Sequence, residues 1–263
     1  LEGMVAATFT PMDENGDVNL SVIDKYADWI ASTPIKGIFV CGTTGEFSSL
    51  TIDERKLILE KWLVSARKRF KVIAHVGSNC QRSAMELARH AAQVGADAIA
   101  SIAPSFFKPG TVDELVDFFA PICHSAAGLP FYYYNMPSIT GVNLPVDKFL
   151  VEGKKKIPNL VGTKFTHNNL MEMGVCIELE QHRFEVLHGY DEILISGLAM
   201  GAVAGVGSTY NYIPNVYQAI FDSMKMNDLE TARHNQIKSI RTVEVIIKYG
   251  GGVRGGKAIM KLI

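Results

Sequence analysis

"LVGTKF", residues 160–165, is a short and mainly apolar run that carries a lysine, Lys164, near its end. A run of this length and composition is typical of a buried β-strand. Seven similar runs, rich in β-branched or aromatic residues, occur along the chain: VAATFT (5–10), GIFVCG (37–42), KVIAHV (71–76), AIASIA (98–103), FYYYN (131–135), FEVLHG (184–189) and AVAGVGS (202–208). The sequence therefore predicts eight strands.

The segments between these runs carry helix-entry signals. Three of them place a hydroxyl residue three positions before a glutamate, as in a capping box, at Thr51–Glu54, Ser83–Glu86 and Thr111–Glu114. Parallel strands need a long crossover connection, which is usually a helix. Eight strands that alternate with helices predict an α/β fold, a (β/α)8 TIM barrel.

The domain organisation follows from where the strand pattern stops. We expect residues 1–213 to form the barrel, because no linker or change in composition divides them. Helix-like segments continue at about 214–225, 228–248 and 254–263, which predicts a C-terminal helical appendage over residues 214–263. The ending "GGKAIMKLI" lacks the Gly or Asn that often closes a helix, so we expect a truncated appendage.

Composition and charge narrow the class of partner. The chain has 263 residues, 48% hydrophobic and 20% charged, with a net charge of −1, which fits a large core and gives no basic face for nucleic acid. Residues 193–221 carry no charge, but their glycines and Pro214 argue against a membrane helix. We therefore expect a small-molecule substrate, with neither nucleic acid nor membrane as a partner.

The cysteines indicate the compartment. They are far apart, without paired spacing for zinc or the density of a disulfide framework: Cys41, Cys80, Cys123 and Cys176. We interpret them as reduced thiols of a cytoplasmic protein.

A TIM barrel places its active site at the C-terminal ends of its strands, and polar residues follow most of the predicted strands. Lys164 ends the sixth. Burial disfavours the charged form of an amine, so Lys164 could attack a ketone and form an imine. The alternative is a lysine that extends to solvent or pairs with a carboxylate.

Three further strand ends carry candidate residues. Thr43 and Thr44 in "GTTGE" (42–46) could bind a carboxylate or phosphate, although such a stretch is often only a turn that enters a helix. Tyr134 could shuttle a proton or could be a packing residue. Asp191 and Glu192 in "GYDE" could accept hydrogen bonds from sugar hydroxyls or could cap a helix.

Four motifs taken together resemble, in order and spacing, the pyruvate-dependent Schiff-base aldolases of the N-acetylneuraminate lyase and dihydrodipicolinate synthase superfamily. They are "CGTTGE" (41–46), "YYNMPSITG" (133–141), "GTKF" (162–165) and "GSTYN" (207–211). The resemblance covers almost the whole chain. It implies an enzyme that needs no cofactor and no metal, because a lysine imine itself withdraws electrons from the bond that breaks.

The resemblance also implies a role for each candidate residue. Lys164 would form the imine with C2 of a keto acid, while Thr43 and Thr44 hold its carboxylate. Tyr134 would assist proton transfer at the C4 hydroxyl, together with the substrate carboxylate and Thr166. A homotetramer is a further expectation.

Within the superfamily, "GYDE" is similar to the sugar-acid lyase branch. There Gly189, Asp191, Glu192 and Ser208 would contact the polyhydroxyl chain of sialic acid. Ile139 stands where dihydrodipicolinate synthases usually carry Arg to hold a second carboxylate. The implied reaction is reversible cleavage of N-acetylneuraminate to N-acetylmannosamine and pyruvate.

One departure from the family pattern lies in "APSFFKPG" (103–110). The family commonly sends a tyrosine from a neighbouring subunit into the site from this loop, but this chain has Phe106 and Phe107. A phenyl ring cannot relay a proton. Either the relay is unnecessary in this branch, or the pair is an apolar wall and subunit contact.

Several alternatives stay open at this stage. The first is another pyruvate aldolase or synthase, such as a dihydrodipicolinate synthase or a ketodeoxy sugar-acid aldolase, and the second is a catalytically idle homologue that binds sugar acids. A phosphorylated substrate could lie in the 207–208 loop, but that loop has no Lys or Arg. A metal-dependent hydrolase could use ligands from strand ends, although no His-x-His pair is present: Glu46, His75, His188 and Asp191.

Overall fold

The computed structural model describes residues 1–126 and 128–263. Eight parallel strands pair in chain order, and the eighth pairs with the first, so the barrel is closed. The strands are β1 (Gly3–Ala7), β2 (Gly37–Val40), β3 (Lys71–His75), β4 (Ala98–Ile102), β5 (Phe131–Asn135), β6 (Leu160–Phe165), β7 (Glu185–His188) and β8 (Ala204–Gly207). The predicted (β/α)8 barrel is confirmed.

Most predicted strands run past the observed C-terminal ends. The first strand was predicted over 5–10, but β1 ends at Ala7. The strands β5 and β6 match their predicted bounds. Thr8 and Thr10 stay buried after β1, so burial continues beyond the last ladder pair. Thr10 Oγ1 donates a hydrogen bond to Gly45 O at 2.8 Å, which ties these residues to the loop after β2. Such loop residues form the C-terminal face of the barrel.

Helices surround the barrel and follow it in the chain. Their bounds are α1 (Val22–Ala31), α2 (Ile52–Ala66), α3 (Gln81–Val94), α4 (Val112–Ser125), α5 (Pro137–Thr140), α6 (Val146–Lys156), α7 (Leu170–Glu178), α8 (Leu194–Ala199), α9 (Pro214–Lys225), α10 (Leu229–Lys248) and α11 (Gly252–Met260). Single turns of 3-10 helix occupy Phe47–Ser49, Asp191–Ile193 and Thr209–Asn211.

The three predicted capping boxes have different outcomes. Thr51 and Glu54 form a complete box at the start of α2. Thr111 accepts from the backbone N–H of Glu114, but the Glu114 carboxylate accepts from Gly110 N instead. The box at Ser83 is wrong, because α3 already begins at Gln81 and Ser83 lies inside its first turn.

The apolar core has two layers. Inside the barrel, Val5, Phe39, Ile73 and other inward-facing strand residues pack together. A larger layer, which includes Trp62 and other aromatic residues, fills the space between the strands and the helices. Alternate residues of one strand therefore serve different layers, and inward-facing residues near strand ends point toward the C-terminal mouth.

The last three helices lie where the sequence predicts a helical appendage. The final one begins and ends earlier than predicted, at Gly252 and Met260 rather than about 254 and 263. It packs closely on the barrel mouth, because a Cβ at Gly256 would lie 2.3 Å from Phe9 Cζ. The division of the chain at residue 213 stays a prediction. Within the described ranges, no helix has both the length and the apolarity needed to cross a membrane.

Candidate active site

Lys164 lies inside the barrel mouth, only 4% exposed. It is paired across the ladder with Tyr134 of β5. Its Nζ lies 3.8 Å from the centroid of the Tyr134 ring and donates a hydrogen bond to Thr166 Oγ1 at 3.0 Å. Among the residues that the structure describes, this amine has no salt bridge to a carboxylate. The alternative of a lysine that extends to solvent or pairs with an acid is therefore wrong.

Tyr134 connects this amine to the loop after β2. Its hydroxyl lies 3.2 Å from Thr43 Oγ1 and 3.0 Å from Met136 Sδ. The side chain is buried, and its ring packs edge-on against Phe39 and His75. Packing holds the ring while the hydroxyl faces other polar groups, so the residue can both stabilise the barrel and exchange a proton.

The "GTTGE" loop leaves β2 through an unusual backbone. Cys41 and Glu46 have φ values of 54° and 58°, a left-handed conformation that is uncommon outside glycine. Between them, Thr43 and Thr44 are half-buried. Glu46 forms an ion pair with Lys257 of α11, so the C-terminal helix contacts the same loop. The loop leads into the 3-10 helix at Phe47–Ser49, so it is a turn that enters a helix, and a carboxylate-binding role for Thr43 and Thr44 stays a prediction.

Thr166 and Gly189 are fitted to each other. A Cβ at Gly189 would lie 2.0 Å from Thr166 Oγ1, the atom that accepts from Lys164. Any side chain at residue 189 would displace that hydroxyl. Gly189 therefore supports the lysine environment by leaving space for Thr166.

Asp191 is a buried acid, 6% exposed, at the start of the short helix after β7. Its Oδ2 accepts hydrogen bonds from Thr209 N at 2.8 Å and Thr209 Oγ1 at 2.6 Å. Burial raises the pKa of Asp191 to about 6, although the bonds from Thr209 oppose that shift. Asp191 and Glu192 both lie in the first turn of this helix, but the Asp191 carboxylate accepts from Thr209 and makes no capping bond to its own helix.

Asp191 Oδ1 faces the end of β8. A Cβ at Gly207 would lie 1.6 Å from this oxygen, so only glycine fits there. Glu192 and Ser208, on either side of this contact, are half-buried. We call Asp191, Glu192 and Ser208 the polar rim, and Asp191 lies close enough to Lys164 for the charge of the amine to lower the pKa of its carboxyl.

Of the four side chains in the metal-site alternative, Glu46, His75 and Asp191 have polar partners elsewhere, whereas the buried ring nitrogens of His188 have none among the described residues. His75 Nδ1 lies 2.8 Å from Cys41 O, and its Nε2 accepts from Ile102 N at 3.3 Å. His188 packs under Gly197, and burial lowers its pKa to about 4. No group of three or more His, Cys, Asp or Glu side chains with metal-binding geometry occurs in residues 1–126 and 128–263.

Three residues singled out by sequence lie at the surface of the single chain. Phe106 and Phe107 are 77% and 87% exposed and pack edge to face, with ring centroids 5.0 Å apart. Ile139 on α5 is 62% exposed, so it is not part of a packed barrel wall. All four cysteines are free thiols, of which only Cys80 is exposed.

Sequence reasoning missed the groups that hold Asp191 in place. They come from the loop after β8 and from the C-terminal helices: Thr209, Tyr217, Gln236 and Ser239. Only the adjacency of Thr209 to the predicted Ser208 gives a local signal. The others are 26 to 48 residues from Asp191 in the chain, so no short motif contains them.

Comparison with known proteins assigns the family. The family model described as the dihydrodipicolinate synthetase family matches residues 1–263. The chain belongs to this family. The mouse protein named N-acetylneuraminate lyase is 43% identical over 266 aligned positions, which cover 100% of this chain and 83% of the mouse protein.

Solved structures of the dihydrodipicolinate synthetase family show the same fold. The N-acetylneuraminate lyase of Proteus mirabilis superposes with a TM-score of 0.97 at 36% identity, covering 100% of this chain and 88% of that chain. The dihydrodipicolinate synthase of Aquifex aeolicus superposes with a TM-score of 0.87 at 27% identity, covering 94% and 83%. The chain is thus more similar to the Proteus mirabilis lyase than to this synthase.

Proposed function

We propose that this protein is a Schiff-base aldolase that reversibly cleaves N-acetylneuraminate to N-acetylmannosamine and pyruvate. The observation that carries the proposal is the buried amine of Lys164, unpaired by any described acid and adjacent to the Tyr134 ring and the Thr166 hydroxyl. The similarity to proteins named N-acetylneuraminate lyase supports the choice of substrate.

The reaction begins at the ketone of the open-chain sugar acid. The Lys164 amine attacks C2, and uptake of a proton followed by loss of water gives a protonated imine. Thr43 and Thr44 bind the adjacent carboxylate through hydroxyls and loop amides, which fixes the orientation of C2 relative to the amine. Thr166 holds Nζ from the other side, at 3.0 Å.

Cleavage then breaks the C3–C4 bond. Its electron pair moves into the imine to form an enamine, while the C4 hydroxyl loses its proton and becomes the aldehyde of N-acetylmannosamine. Tyr134 assists this proton transfer together with the substrate carboxylate, and its contact with Thr43, which would bind that carboxylate, supports this role. Protonation at C3 and hydrolysis of the imine release pyruvate and restore the lysine.

The residues of the polar rim bind the sugar chain of the substrate. Asp191, Glu192 and Ser208, with the backbone at Gly189, accept or donate hydrogen bonds to the hydroxyls beyond C4. The exposed Ile139 provides no cation for the second carboxylate of a dihydrodipicolinate precursor. This difference favours sugar-acid cleavage over condensation of pyruvate with aspartate semialdehyde.

The test combines trapping with a choice of substrates. Borohydride added with pyruvate should inactivate the enzyme and leave a reduced adduct on the peptide that contains Lys164. Lys164→Arg should fold but give neither adduct nor turnover, because a guanidinium stays protonated. Lys154→Arg is the matched control, since Lys154 also lies near β6 but donates to backbone oxygens.

Two results would contradict the proposal. An adduct on Lys154, or unchanged turnover after Lys164→Arg, would remove Lys164 from the chemistry. Condensation of pyruvate with aspartate semialdehyde, without cleavage of N-acetylneuraminate, would assign the chain to the synthase activity instead.

We also propose that the chain assembles as a homotetramer, with Phe106 and Phe107 in a subunit contact. Two adjacent exposed phenyl rings are the kind of surface that association buries. Light scattering should give four chains per particle, and Phe106→Ser with Phe107→Ser should lower that number. A monomeric wild-type protein would contradict this part.

A further inference from the structure

Asp191 is enclosed by a ring of hydrogen bonds that reaches into the C-terminal helices. Thr209 Oγ1 donates to the Asp191 carboxylate and also contacts the Tyr217 hydroxyl of α9. That hydroxyl lies 2.7 Å from Ser239 Oγ of α10. Ser239 Oγ lies 3.2 Å from the main-chain oxygen of Asp191, which closes the ring. All four side chains are buried.

Gln236 of α10 ties the same loop at two points. Its Nε2 donates to Asp191 O at 3.0 Å, and its Oε1 accepts from Ile195 N at 2.9 Å. Both bonds are made by one buried amide whose donor and acceptor are fixed relative to each other. The start of the short helix and the start of α8 are therefore held at a set distance by α10.

These contacts leave the two carboxylate oxygens of Asp191 in different states: Oδ2 is hydrogen-bonded within the protein, and Oδ1 can accept a hydrogen bond from a substrate. Oδ2 receives the two bonds from Thr209, whereas Oδ1 lies above Gly207, where a side chain would collide with it. A small displacement of the Asp191 backbone would move Oδ1 relative to the mouth of the barrel. Hydrogen bonds to a substrate hydroxyl weaken steeply with such a displacement.

We propose that Gln236, Tyr217 and Ser239 are positioning residues that hold Asp191 for recognition of the sugar chain, so that helices α9 and α10 take part in substrate specificity. This inference rests on the proposed function, in which Asp191 contacts the hydroxyls of the sugar acid. None of the three side chains touches Lys164, so their effect should be confined to the sugar end of the site.

The test variants are Gln236→Leu and Tyr217→Phe, and a neighbouring residue provides a matched control for each. Asn235 precedes Gln236 on α10, but its amide donates to Thr231 O of its own helix. The Tyr210 ring packs 4.4 Å from the Tyr217 ring, yet its hydroxyl has no hydrogen-bond partner among the described residues. Asn235→Leu and Tyr210→Phe therefore change similar groups without touching the ring around Asp191.

The experiment measures KM and kcat for N-acetylneuraminate cleavage and, separately, the rate of borohydride trapping with pyruvate. Gln236→Leu and Tyr217→Phe should each raise KM for N-acetylneuraminate about tenfold, the loss expected when a charged hydrogen bond is weakened. Their trapping rates, and both parameters of the two controls, should stay within about twofold of wild type. If Gln236→Leu does not fold, Ser239→Ala tests the same ring with a smaller change.

The outcomes separate this inference from the proposed function. A wild-type enzyme that cleaves N-acetylneuraminate, with variants that keep its KM, would overturn the inference alone. A parallel fall in cleavage and trapping would also overturn it, because the effect would then extend to Lys164. Trapping without any cleavage in the wild type would overturn the proposed function itself.

Discussion

The buried carboxyl of Asp191 should leave a measurable mark on stability. Its pKa is raised from an ordinary value of 3.8 to about 6, first of all by burial. The folded protein therefore binds this proton more tightly than the unfolded chain does. Stability from this group is fully present below about pH 4 and is lost as the pH rises through about 6. The shift corresponds to about 3 kcal/mol in the free energy of unfolding.

The substitution Asp191→Asn removes the titratable carboxyl group and keeps the size and shape of the side chain. The difference in unfolding free energy between Asp191→Asn and wild type should change by about 2.5 kcal/mol in favour of the variant between pH 4 and pH 7.5. Urea denaturation at several pH values measures this difference, and groups that titrate in both proteins cancel. A constant offset at low pH, from the new amide N–H groups, does not affect the slope.

A control of opposite sign is available on α10. Asp228 caps that helix, and its bonds to Thr231 lower its pKa, so it contributes stability above the unfolded pKa. Asp228→Asn should therefore lose stability relative to wild type as the pH rises. Curves for Asp191→Asn and wild type that run parallel from pH 4 to pH 7.5 would refute the reasoning, since the acid would then titrate alike in both states.

Three other predictions concern the site. Tyr134→Phe should keep the ring packing and lower kcat by about a hundredfold, measured by pyruvate release, and near-normal kcat would reduce Tyr134 to a packing residue. Gly207→Ala should abolish N-acetylneuraminate cleavage while pyruvate trapping persists, because its Cβ would lie 1.6 Å from Asp191 Oδ1; full activity would exclude that contact. Lys257→Met should raise KM for pyruvate in the trapping assay a few-fold by removing the ion pair to Glu46, and an unchanged KM would separate α11 from the carboxylate loop.

The barrel could be predicted because strand and crossover each leave a local signal. The β6 run and the capping box at Thr51 are read from adjacent residues, and both appear at the predicted place. The sequence did not predict the C-terminal ends of most strands. Thr8 and Thr10 remain buried after the ladder of β1 stops, and a sequence pattern indicates burial rather than strand pairing. Ser83 shows a different error. The capping-box motif is present in the sequence, but α3 begins at Gln81, two residues before Ser83.

The site was predictable to the extent that a barrel gathers strand ends in one place. Lys164 and Tyr134 meet because β5 pairs with β6, a neighbour relation that the strand order implies, whereas the register between the two strands shifts after Phe131 and could not be predicted from the sequence. The need for glycine at 189 and 207 could not be read from the sequence. At each position an added Cβ would lie less than 2.5 Å from a side chain that follows the neighbouring strand, and this neighbour is in place only once the barrel closes.

Burial of the Asp191 carboxylate lowers stability at neutral pH, and this explains why so many hydrogen bonds hold its loop in place. An ionised carboxylate at a buried position is unfavourable at neutral pH, so an Asp191 loop without other restraints would relax toward water or take up a proton. Two donors from Thr209 and two anchors on its main-chain oxygen, from Gln236 and Ser239, oppose both responses. These anchors come from α10, so the barrel alone does not supply the restraint. The helices that follow β8 are thus part of the structure that makes a buried anionic binding group possible, and the sugar end of the site should weaken before the lysine end when they are perturbed.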